Sequence, residues 1–326
     1  MEDLTSPPRV SIVVPARDAA DTLGRALECL RAQALGEPYE VVVVDKGSRD
    51  GTAALAEAAG PPVRLVRAGP GAAGEARNEG AAAARGDMLA FTDADCFPRP
   101  GWLAAGVAAL RGGGAADGGS ADLVIGRVEP DPSTPMGPFD RSLWADRDDG
   151  LHRTANLFVT RAAFERAGGF ADPGLVDGRP FGEDVLFGWR VRRGGGRAVF
   201  APDAVVDHAV ERRGAAAYVA ERLRLSAFPP VARAAPELRG SFFFGRVFLS
   251  SRSAAFDAAL AGLAAAALTR RRAPLAAALP YAAMIARRAA QSGPRAPLAA
   301  PVEVAADAVA LAALLRGSVA AGTLVA

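Results

Sequence analysis

Apolar, β-branched segments alternate with helical segments in the first third of the chain. The clearest is Glu40–Asp45, in which only valines separate the two acids, as expected for a strand that is buried on both faces of a sheet. Val10–Pro15, Val63–Arg67 and Met88–Phe91 are similar short apolar runs. Strands that alternate with helices form parallel sheets with right-handed crossovers. The sequence therefore predicts an α/β domain whose mostly parallel sheet is flanked by helices.

Carboxylates stand where these strands end. Asp93 and Asp95 follow Met88–Phe91, and Asp45 closes the second strand. Because the carboxyl ends of parallel strands meet at one edge of the sheet, where ligands gather, these carboxylates are expected to lie close together. An isolated Asp-x-Asp is commonly a solvated turn, but the coincidence with Asp45 favours a site. Carboxylate oxygens on one side of an extended segment suit Mg²⁺ or Mn²⁺.

Composition limits the partners and the compartment. The net charge is only +2 and Lys46 is the one lysine, so no dense basic face predicts nucleic-acid binding. Cys29 and Cys96 are too few for a disulfide framework and lack metal-site spacing, which is typical of reduced thiols in the cytosol. Residues 1–8 have no apolar signal core. We therefore predict a cytoplasmic catalytic part.

The character of the chain changes beyond about Gly214, where strand signals become few. Pro229-Pro230 is expected to break the helix that precedes it. Three apolar runs separated by arginine clusters follow, at Ala254–Leu268, Ala273–Ala286 and Val302–Leu315. The sequence predicts a catalytic domain over residues 1–225 and a C-terminal helical region over residues 226–326.

These apolar runs have two interpretations. A spanning helix needs about 20 apolar residues, and the runs are shorter or interrupted by Asp257 and by prolines, which is typical of a packed soluble region. Arginine clusters beside apolar stretches also suit the cytoplasmic face of a bilayer. We favour peripheral association with the inner face of the cell membrane.

Two further carboxylates, Glu183 and Asp184, open a helix that carries Leu186, Phe187 and Trp189. Acidic residues in a first helical turn interact favourably with the helix dipole, which is a sufficient structural reason for them. A carboxylate in reach of a hydroxyl group can also act as a general base.

Six short segments, in order and at the approximate spacing, resemble the family 2 glycosyltransferases, which are inverting, nucleotide-sugar-dependent enzymes of the GT-A fold. The resemblance covers roughly residues 9–210. Each motif is weak alone, and the six together are specific: Val13–Pro15, Val44–Thr52, Gly74–Gly80, Phe91–Asp95, Gly168–Phe170 and Gly182–Asp184.

The resemblance implies a role for each matching residue. Asp184 would be the general base, with Glu183 beside it in the catalytic pair. Asp95 would be the more direct metal ligand, together with Asp93 and His208. Asp45 would hydrogen-bond the nucleoside base of the donor, whose other expected contacts are Pro15, Arg17, Arg77, Asn78 and Asp93. Contacts to the sugar or the acceptor are expected from Trp102 and Asn156.

The activity that the resemblance implies is transfer of a hexose from a nucleoside-diphosphate sugar to an acceptor hydroxyl, by metal-assisted direct displacement. Mg²⁺ or Mn²⁺ would neutralise the leaving diphosphate, and a carboxylate would take the hydroxyl proton. The resemblance also implies a lipid-linked or membrane-borne acceptor.

The sequence departs from the family pattern at two positions. Asp18 stands where relatives commonly have Asn, and Lys46 stands where many have a second Asp. The lysine reverses a charge beside the expected nucleoside pocket. Its side chain could reach a phosphate or point into water, and we favour water.

A dehydrogenase is one alternative. A G-x-G-x-x-G motif stands between the third predicted strand and the next helix, with glycines at Gly69, Gly71 and Gly74. Asp93 lies about 20 residues further on, as in dinucleotide-binding proteins. Against this alternative, the motif follows the third strand rather than the first, and Asp95 and Asp184 stay unexplained. The other alternative is a non-catalytic GT-A-like binding protein, against which the retained carboxylates argue.

Overall fold

The computed structural model describes residues 7–113, 119–171, 181–292 and 296–326. They form two compact units. The first consists of the described residues up to Pro135 together with Ser142–Val210, and the second of Met136–Arg141 together with Glu211–Ala326. The short segment 136–141 therefore belongs with the C-terminal helices, although it lies within the sequence of the first unit.

The first unit is an eight-stranded sheet with helices. Its strands are β1 (Val10–Ala16), β2 (Tyr39–Asp45), β3 (Val63–Arg67), β4 (Met88–Phe91), β5 (Cys96–Pro98), β6 (Leu123–Pro130), β7 (Leu157–Thr160) and β8 (Ala198–His208). Its helices are α1 (Ala20–Arg31), α2 (Thr52–Ala58), α3 (Ala73–Ala83), α4 (Trp102–Leu110), α5 (Arg161–Arg166) and α6 (Glu183–Arg193), and residues Thr154–Asn156 form a 3₁₀ turn.

The strand order is β3-β2-β1-β4-β7-β6-β8-β5. The pairs β2–β3, β1–β2, β1–β4 and β6–β8 are parallel. Strand β7 is antiparallel to both of its neighbours, and β5 is antiparallel to β8. The α/β prediction is confirmed, but the sheet is mixed. The reason is that β7 is reached through the long loop after β6 rather than through a helical crossover, so nothing enforces a parallel direction there.

Strand β2 shows why the first half of the sheet is readable from sequence. Val41 and Val43 pack into one hydrophobic cluster with α1, and Val42 and Val44 pack into another with α3. Side chains alternate between the two faces of a strand, so an uninterrupted valine run fills both faces at once. The prediction that this strand is buried on both faces is confirmed.

Glu40, which precedes the valine run, is a buried acid inside this strand. Its carboxylate accepts hydrogen bonds from the Ser11 hydroxyl at 2.7 Å, from Arg64 Nε at 2.8 Å and from the backbone N–H of Arg85 at 2.7 Å. Burial alone would raise the pKa of Glu40, but these donors outweigh it and lower the pKa from 4.5 to about 2. The charged form is therefore built into the fold.

We expect Glu40→Gln to destabilise the protein by about 3 kcal/mol at pH 7, because two arginines lose their anion. The folded-state pKa of Glu40 is below its unfolded value, so this contribution is present above pH 4.5 and is lost as the pH falls toward 2. Urea unfolding at pH 7 and at pH 3 measures it, and the deficit of the variant should shrink at pH 3. Glu57→Gln, which alters an exposed pair with Arg67, is the matched control. An equal deficit in that control would contradict the assignment.

The second unit is helical. It contains α7 (Ala215–Glu221), α8 (Phe228–Ala234), α9 (Leu238–Ser241), α10 (Ser251–Thr269), α11 (Leu279–Gln291) and α12 (Ala296–Ala321), with 3₁₀ helices at Arg222–Ala227 and Ala273–Ala278. The helical segment that precedes Pro229-Pro230 ends at Ala227, and a separate helix, α8, begins at Phe228, so the expected break is confirmed. Both prolines lie in the first turn of α8, where the missing N–H groups would have no helical partner in any case.

Buried acids of α12 hold this unit together. Glu303 is fully buried and binds Tyr218 Oη at 2.8 Å, Arg252 at 2.7 Å and Arg288 at 3.0 Å. Asp307 binds Arg252 at 2.7 Å and Tyr281 Oη at 2.6 Å. The partners come from α7, α10 and α11. Helix α12 is longer than the apolar run seen in the sequence, and among the described residues its segment Leu298–Ala321 is long and apolar enough to cross a membrane.

Candidate active site

The carboxyl ends of β1 and β2 form a cross-linked pair of turns. Asp45 is buried, and its carboxylate accepts hydrogen bonds from the backbone N–H and the hydroxyl of Ser48. The Ser48 hydroxyl in turn accepts from the Asp18 N–H at 2.9 Å, and the Asp18 carboxylate accepts from the Arg49 N–H at 2.8 Å. Asp18 has a φ of 48°, a region that both Asn and Asp tolerate. The Asp found there therefore keeps the turn that Asn would make.

Two other predicted nucleotide contacts lie at the same edge. Pro15 pairs in register with Val44 and is partly exposed, one residue before β1 ends. Arg17 follows in the turn with an exposed side chain, 3.9 Å from the Asp18 carboxylate. Pro15, Arg17 and Asp45 are therefore brought together by the β1–β2 pairing.

The prediction that Lys46 points into water is wrong. Its side chain is only 6% exposed, and its Nζ lies 3.0 Å from Glu79 and 3.9 Å from Glu75. These glutamates are four residues apart and so lie on one face of α3. The two glutamates thus neutralise the positive charge of Lys46, and these ion pairs hold the end of β2 against α3.

Arg77 joins three sequence motifs at one point. Its buried guanidinium lies 2.6 Å from Asp93 Oδ1 and 3.6 Å from Glu183 Oε1. Asp93 follows β4 and Glu183 begins α6, so the side chain links α3, β4 and α6. The Nε of Arg77 is buried and has no hydrogen-bond partner among the described residues. The arginine predicted to lie near the nucleotide is placed together with the first Asp of the Asp-x-Asp pair.

Asp95 has a different neighbour, His208 at the end of β8. The His208 Nε2 lies 3.5 Å from Asp95 Oδ2, and its Nδ1 lies 2.7 Å from the Ala209 carbonyl oxygen. A carbonyl can only accept, so Nδ1 carries a proton, and Nε2 is the nitrogen that the neutral ring offers to a ligand on the side of Asp95. A carboxylate oxygen and an imidazole nitrogen at this separation are a ligand pair that suits a divalent cation. These residues therefore fit the predicted metal.

Cys96 lies close to this pair, within 4.8 Å for all three possible ligand atoms. Its side chain is fully buried in the apolar cluster beneath the sheet edge. Burial, followed by the charges of Asp93 and Asp95, raises the pKa of the Cys96 thiol well above its ordinary value. A metal ligand has to be the thiolate, so Asp95 and His208 fit the ion better than Cys96 does. Both cysteines are free thiols.

Asp184 occupies the first turn of α6, which begins after Gly182 in the left-handed conformation (φ 84°). Its carboxylate accepts the Val185 N–H at 2.8 Å. Desolvation, followed by the charge of Glu183, raises the pKa of Asp184 to about 7, although the Val185 hydrogen bond, Arg77 and Arg153 act in the opposite direction. A carboxylate with a pKa near neutrality can exchange a proton at physiological pH.

Asn78 supports the wall between these groups. Its amide donates to the Phe170 carbonyl at 2.8 Å and accepts from the Phe170 N–H at 2.8 Å. Gly169 has a φ of 63°, and a Cβ there would lie 2.6 Å from Asn78 Oδ1. The Gly168-Gly169 turn therefore needs glycine for its conformation and for space, and Asn78 fixes it beside α6.

Trp102 and Asn156 are not ligand contacts. Both are fully buried, and the Trp102 indole N–H donates to Asn156 Oδ1 at 2.8 Å. The Asn156 amide also donates to the carbonyls of Arg127 and Ala204, each at 2.8 Å. Their hydrogen-bonding capacity is used inside the core, so we withdraw the expected sugar and acceptor contacts.

Two residues near the site carried no sequence signal that singled them out. The Ser142 hydroxyl donates to the His208 carbonyl at 3.0 Å and lies 3.3 Å from its Nδ1. Arg153 is close enough to Asp184 to influence its pKa. Only the length of the loop after β6 pointed to this region, because loops that long are commonly functional.

The dinucleotide alternative fails on geometry. The G-x-G-x-x-G segment follows β3, which is one of the two edge strands of the sheet. A Cβ at Gly71 would lie 2.0 Å from Glu75 Oε2 and 2.9 Å from Lys46 Nζ, so this space is already occupied. The Glu75 carboxylate also accepts the Ala72 N–H at the start of α3. A negative group in this position disfavours the pyrophosphate that the motif would bind.

Comparison with known proteins gives an independent assignment. The chain matches the family model "Glycosyl transferase family 2" over residues 11–146. It is 30% identical over 214 residues to glycosyltransferase AglE of Haloferax volcanii, a match that covers 62% of this chain and 67% of that protein.

Solved structures share the fold. Mannosyltransferase PcManGT from Pyrobaculum calidifontis, in complex with GDP-Man and Mn²⁺, matches with a TM-score of 0.59 at 23% identity, covering 97% of this chain and 88% of that one. S. aureus TarS in complex with UDP-GlcNAc matches with a TM-score of 0.52 at 17% identity, covering 97% and 92%. At these identities the structures establish the fold alone, and the predicted GT-A-like α/β architecture is confirmed. The dehydrogenase alternative is excluded, and the chain belongs to glycosyltransferase family 2.

Proposed function

We propose that this glycosyltransferase is an inverting hexosyltransferase that transfers a sugar from a nucleoside-diphosphate donor to an acceptor hydroxyl at the cytoplasmic face of a membrane. The observation that carries the proposal is the arrangement around Arg77. This arginine connects Asp93 to Glu183, with Asp95 and His208 beyond one end and Asp184 beside the other. A donor held between these groups has its diphosphate near Asp95 and His208 and its sugar near Asp184.

Each group has a distinct task in this proposal. Asp45, Pro15 and Arg17 hold the nucleoside, and the turns joined by Ser48 and Asp18 fix them in place. Asp95 and His208 would hold Mg²⁺ or Mn²⁺, which when bound supplies charge neutralisation for the leaving diphosphate. Arg77 and Asn78 hold the wall against which the donor lies.

Asp184 takes the proton of the acceptor hydroxyl as its oxygen attacks the anomeric carbon from the face opposite the diphosphate. A single displacement of this kind inverts the anomeric centre and needs no covalent intermediate. The raised pKa of Asp184, about 7, makes the carboxylate a stronger base than an ordinary Asp while it remains largely ionised at slightly alkaline pH. Donors of both guanosine and uridine type occur in the structural neighbours, so the base of this donor is left to experiment.

A thermal-shift panel of UDP-, GDP- and dTDP-sugars, each with and without Mn²⁺, tests the proposal. We expect one nucleoside class to raise the melting temperature, and Mn²⁺ to increase that shift. Asp203→Asn, which changes an exposed acid on β8, is the matched control and should respond like the natural protein. The absence of any nucleotide-sugar shift, with or without metal, would contradict the proposal.

A further inference from the structure

The second unit exposes a helical hairpin that has no polar face. We define this apolar hairpin as residues 258–269 of α10, the turn Arg270–Arg272, and residues 273–286, which form a 3₁₀ helix and the first turns of α11. No charged residue occurs in 258–269 or in 273–286. A helix that is apolar on all sides is normally buried in a core or in a membrane, and much of this one is exposed.

The two arms of the hairpin pack on each other through small residues. A Cβ at Gly262 would lie 2.5 Å from the Pro274 carbonyl oxygen and 2.9 Å from the Ala277 Cβ, so the arms approach more closely than larger residues would allow. Close contact through Gly and Ala is typical of helices in lipid. The leucines point away from this contact and are exposed. The exposed fractions are 42% for Leu260, 51% for Leu263, 86% for Leu268, 40% for Leu275 and 68% for Leu279.

The turn of the hairpin is cationic at a conformational cost. Arg270, Arg271 and Arg272 are all exposed. Arg270 ends α10 in the left-handed conformation with a φ of 54°, a position that glycine occupies without strain. A charged side chain therefore stands where the backbone alone would favour glycine.

Hydropathy alone would select α12 as the membrane element, but its contacts argue otherwise. Glu303 and Asp307 bind Tyr218, Arg252, Arg288 and Tyr281, which belong to three other helices. Moving α12 into lipid would break these pairs and leave charges without partners. The apolar hairpin can meet lipid without breaking any of them.

We propose that the apolar hairpin, rather than α12, is the surface that docks on an anionic lipid bilayer, with its leucines in the interface and Arg270–Arg272 among the phosphate groups. Apolar area and basic charge act together in such binding. A second copy of the chain fits less well, because another apolar hairpin would cover the leucines without supplying anions for Arg270–Arg272, whereas lipid phosphates supply them. This inference rests on the membrane association in the proposed function and specifies the surface responsible.

Co-sedimentation of the full chain with phosphatidylcholine vesicles, with and without phosphatidylglycerol, tests the inference. The leucine variant is Leu263→Gln with Leu268→Gln. The matched control is Leu315→Gln with Val319→Gln on α12, at 45% and 85% exposure against 51% and 86%. We expect the leucine variant to lose at least about tenfold in partition to both vesicles, and the α12 variant to bind like the natural protein.

The charge variant carries Arg270→Gly, Arg271→Gln and Arg272→Gln. It should lose binding to the anionic vesicles selectively, and its fold should persist because glycine suits the turn. Circular dichroism and the nucleotide-sugar thermal shift should be unchanged in all variants, which separates this inference from the proposed donor binding. Three results would overturn it: no vesicle binding by the natural protein, binding by the leucine variant at the natural level, or equal loss in the α12 variant.

Discussion

Asp184→Asn should reduce sugar transfer by about 10²–10⁴-fold while donor affinity stays nearly constant, because the variant keeps the shape of the side chain and loses only its ability to take a proton. The position of Asp184, in the first turn of α6 next to the Arg77 ion pair, makes this a loss in kcat rather than in donor binding. Steady-state kinetics with the donor identified by thermal shift, combined with titration of the nucleotide diphosphate, measures both quantities.

The pH profile provides a second readout. The pKa of Asp184 is about 7. Below that pH, kcat/KM of the natural protein should fall about tenfold per pH unit, because the base becomes protonated. The residual activity of the variant should lack this limb. Full activity of Asp184→Asn, or an unchanged acidic limb, would remove Asp184 from the role.

Stability measures the cost of burying the Asp184 carboxylate, independently of its role in transfer. The folded-state pKa of Asp184 is above its unfolded value of 3.8. Ionisation of Asp184 therefore lowers the free energy of unfolding as the pH rises from about 4 to 7. Without added divalent ions, Asp184→Asn should therefore melt at a higher temperature than the natural protein at pH 8. Glu183→Gln is not a clean control, because it removes a partner of Arg77 and also the charge that helps to raise the pKa of Asp184. Asp203→Asn, which changes an exposed acid, should not stabilise the protein in this way.

Asp95→Ala should lower kcat by about 10³-fold, since a bound divalent ion contributes several kcal/mol of charge stabilisation and each 1.36 kcal/mol is tenfold in rate. His208→Ala should weaken the apparent Mn²⁺ affinity and recover part of its activity at higher Mn²⁺ concentration, because one of the two facing ligands remains. Isothermal titration with Mn²⁺, performed with bound nucleotide diphosphate, checks the affinity directly.

Asp203→Asn is the control for both metal-site variants, since it removes an exposed carboxylate from the same strand as His208. We expect it to keep the Mn²⁺ affinity of the natural protein. Undiminished Mn²⁺ binding by both Asp95→Ala and His208→Ala would show that the cation is held elsewhere or not required.

Features that depend on local interactions could be predicted from the sequence, and features that depend on distant contacts could not. The valine run of β2 identifies a doubly buried strand by its composition alone, and the carboxylates at strand ends follow the chain direction in a parallel sheet. The antiparallel insertion of β7 depends on a long loop, whose path has no periodic pattern. The sequence therefore predicts the first half of the sheet better than the second.

The errors at single residues have the same origin. Lys46 is buried because Glu75 and Glu79 face it from α3, and only the spacing of four residues between the glutamates could have suggested this. Trp102 and Asn156 have the side chains of sugar-binding residues, but residue type does not reveal depth, and both are used to hold the core together. The pairing of His208 with Asp95 was expected only through the family resemblance, because the β5–β8 register that produces it cannot be deduced from residue patterns.

The short segment 136–141 limits how the enzyme can be dissected. Phe139 is almost fully buried, with its ring 5.5 Å from that of Tyr218, and Arg141 exchanges two backbone hydrogen bonds with Glu211. A fragment cut after Val210 would keep the whole sheet yet strip this segment of its partners and expose an aromatic side chain. The residue that follows the segment is Ser142, which hydrogen-bonds His208. Removing the C-terminal helices to obtain a minimal enzyme would therefore loosen the loop that supports the proposed metal ligand.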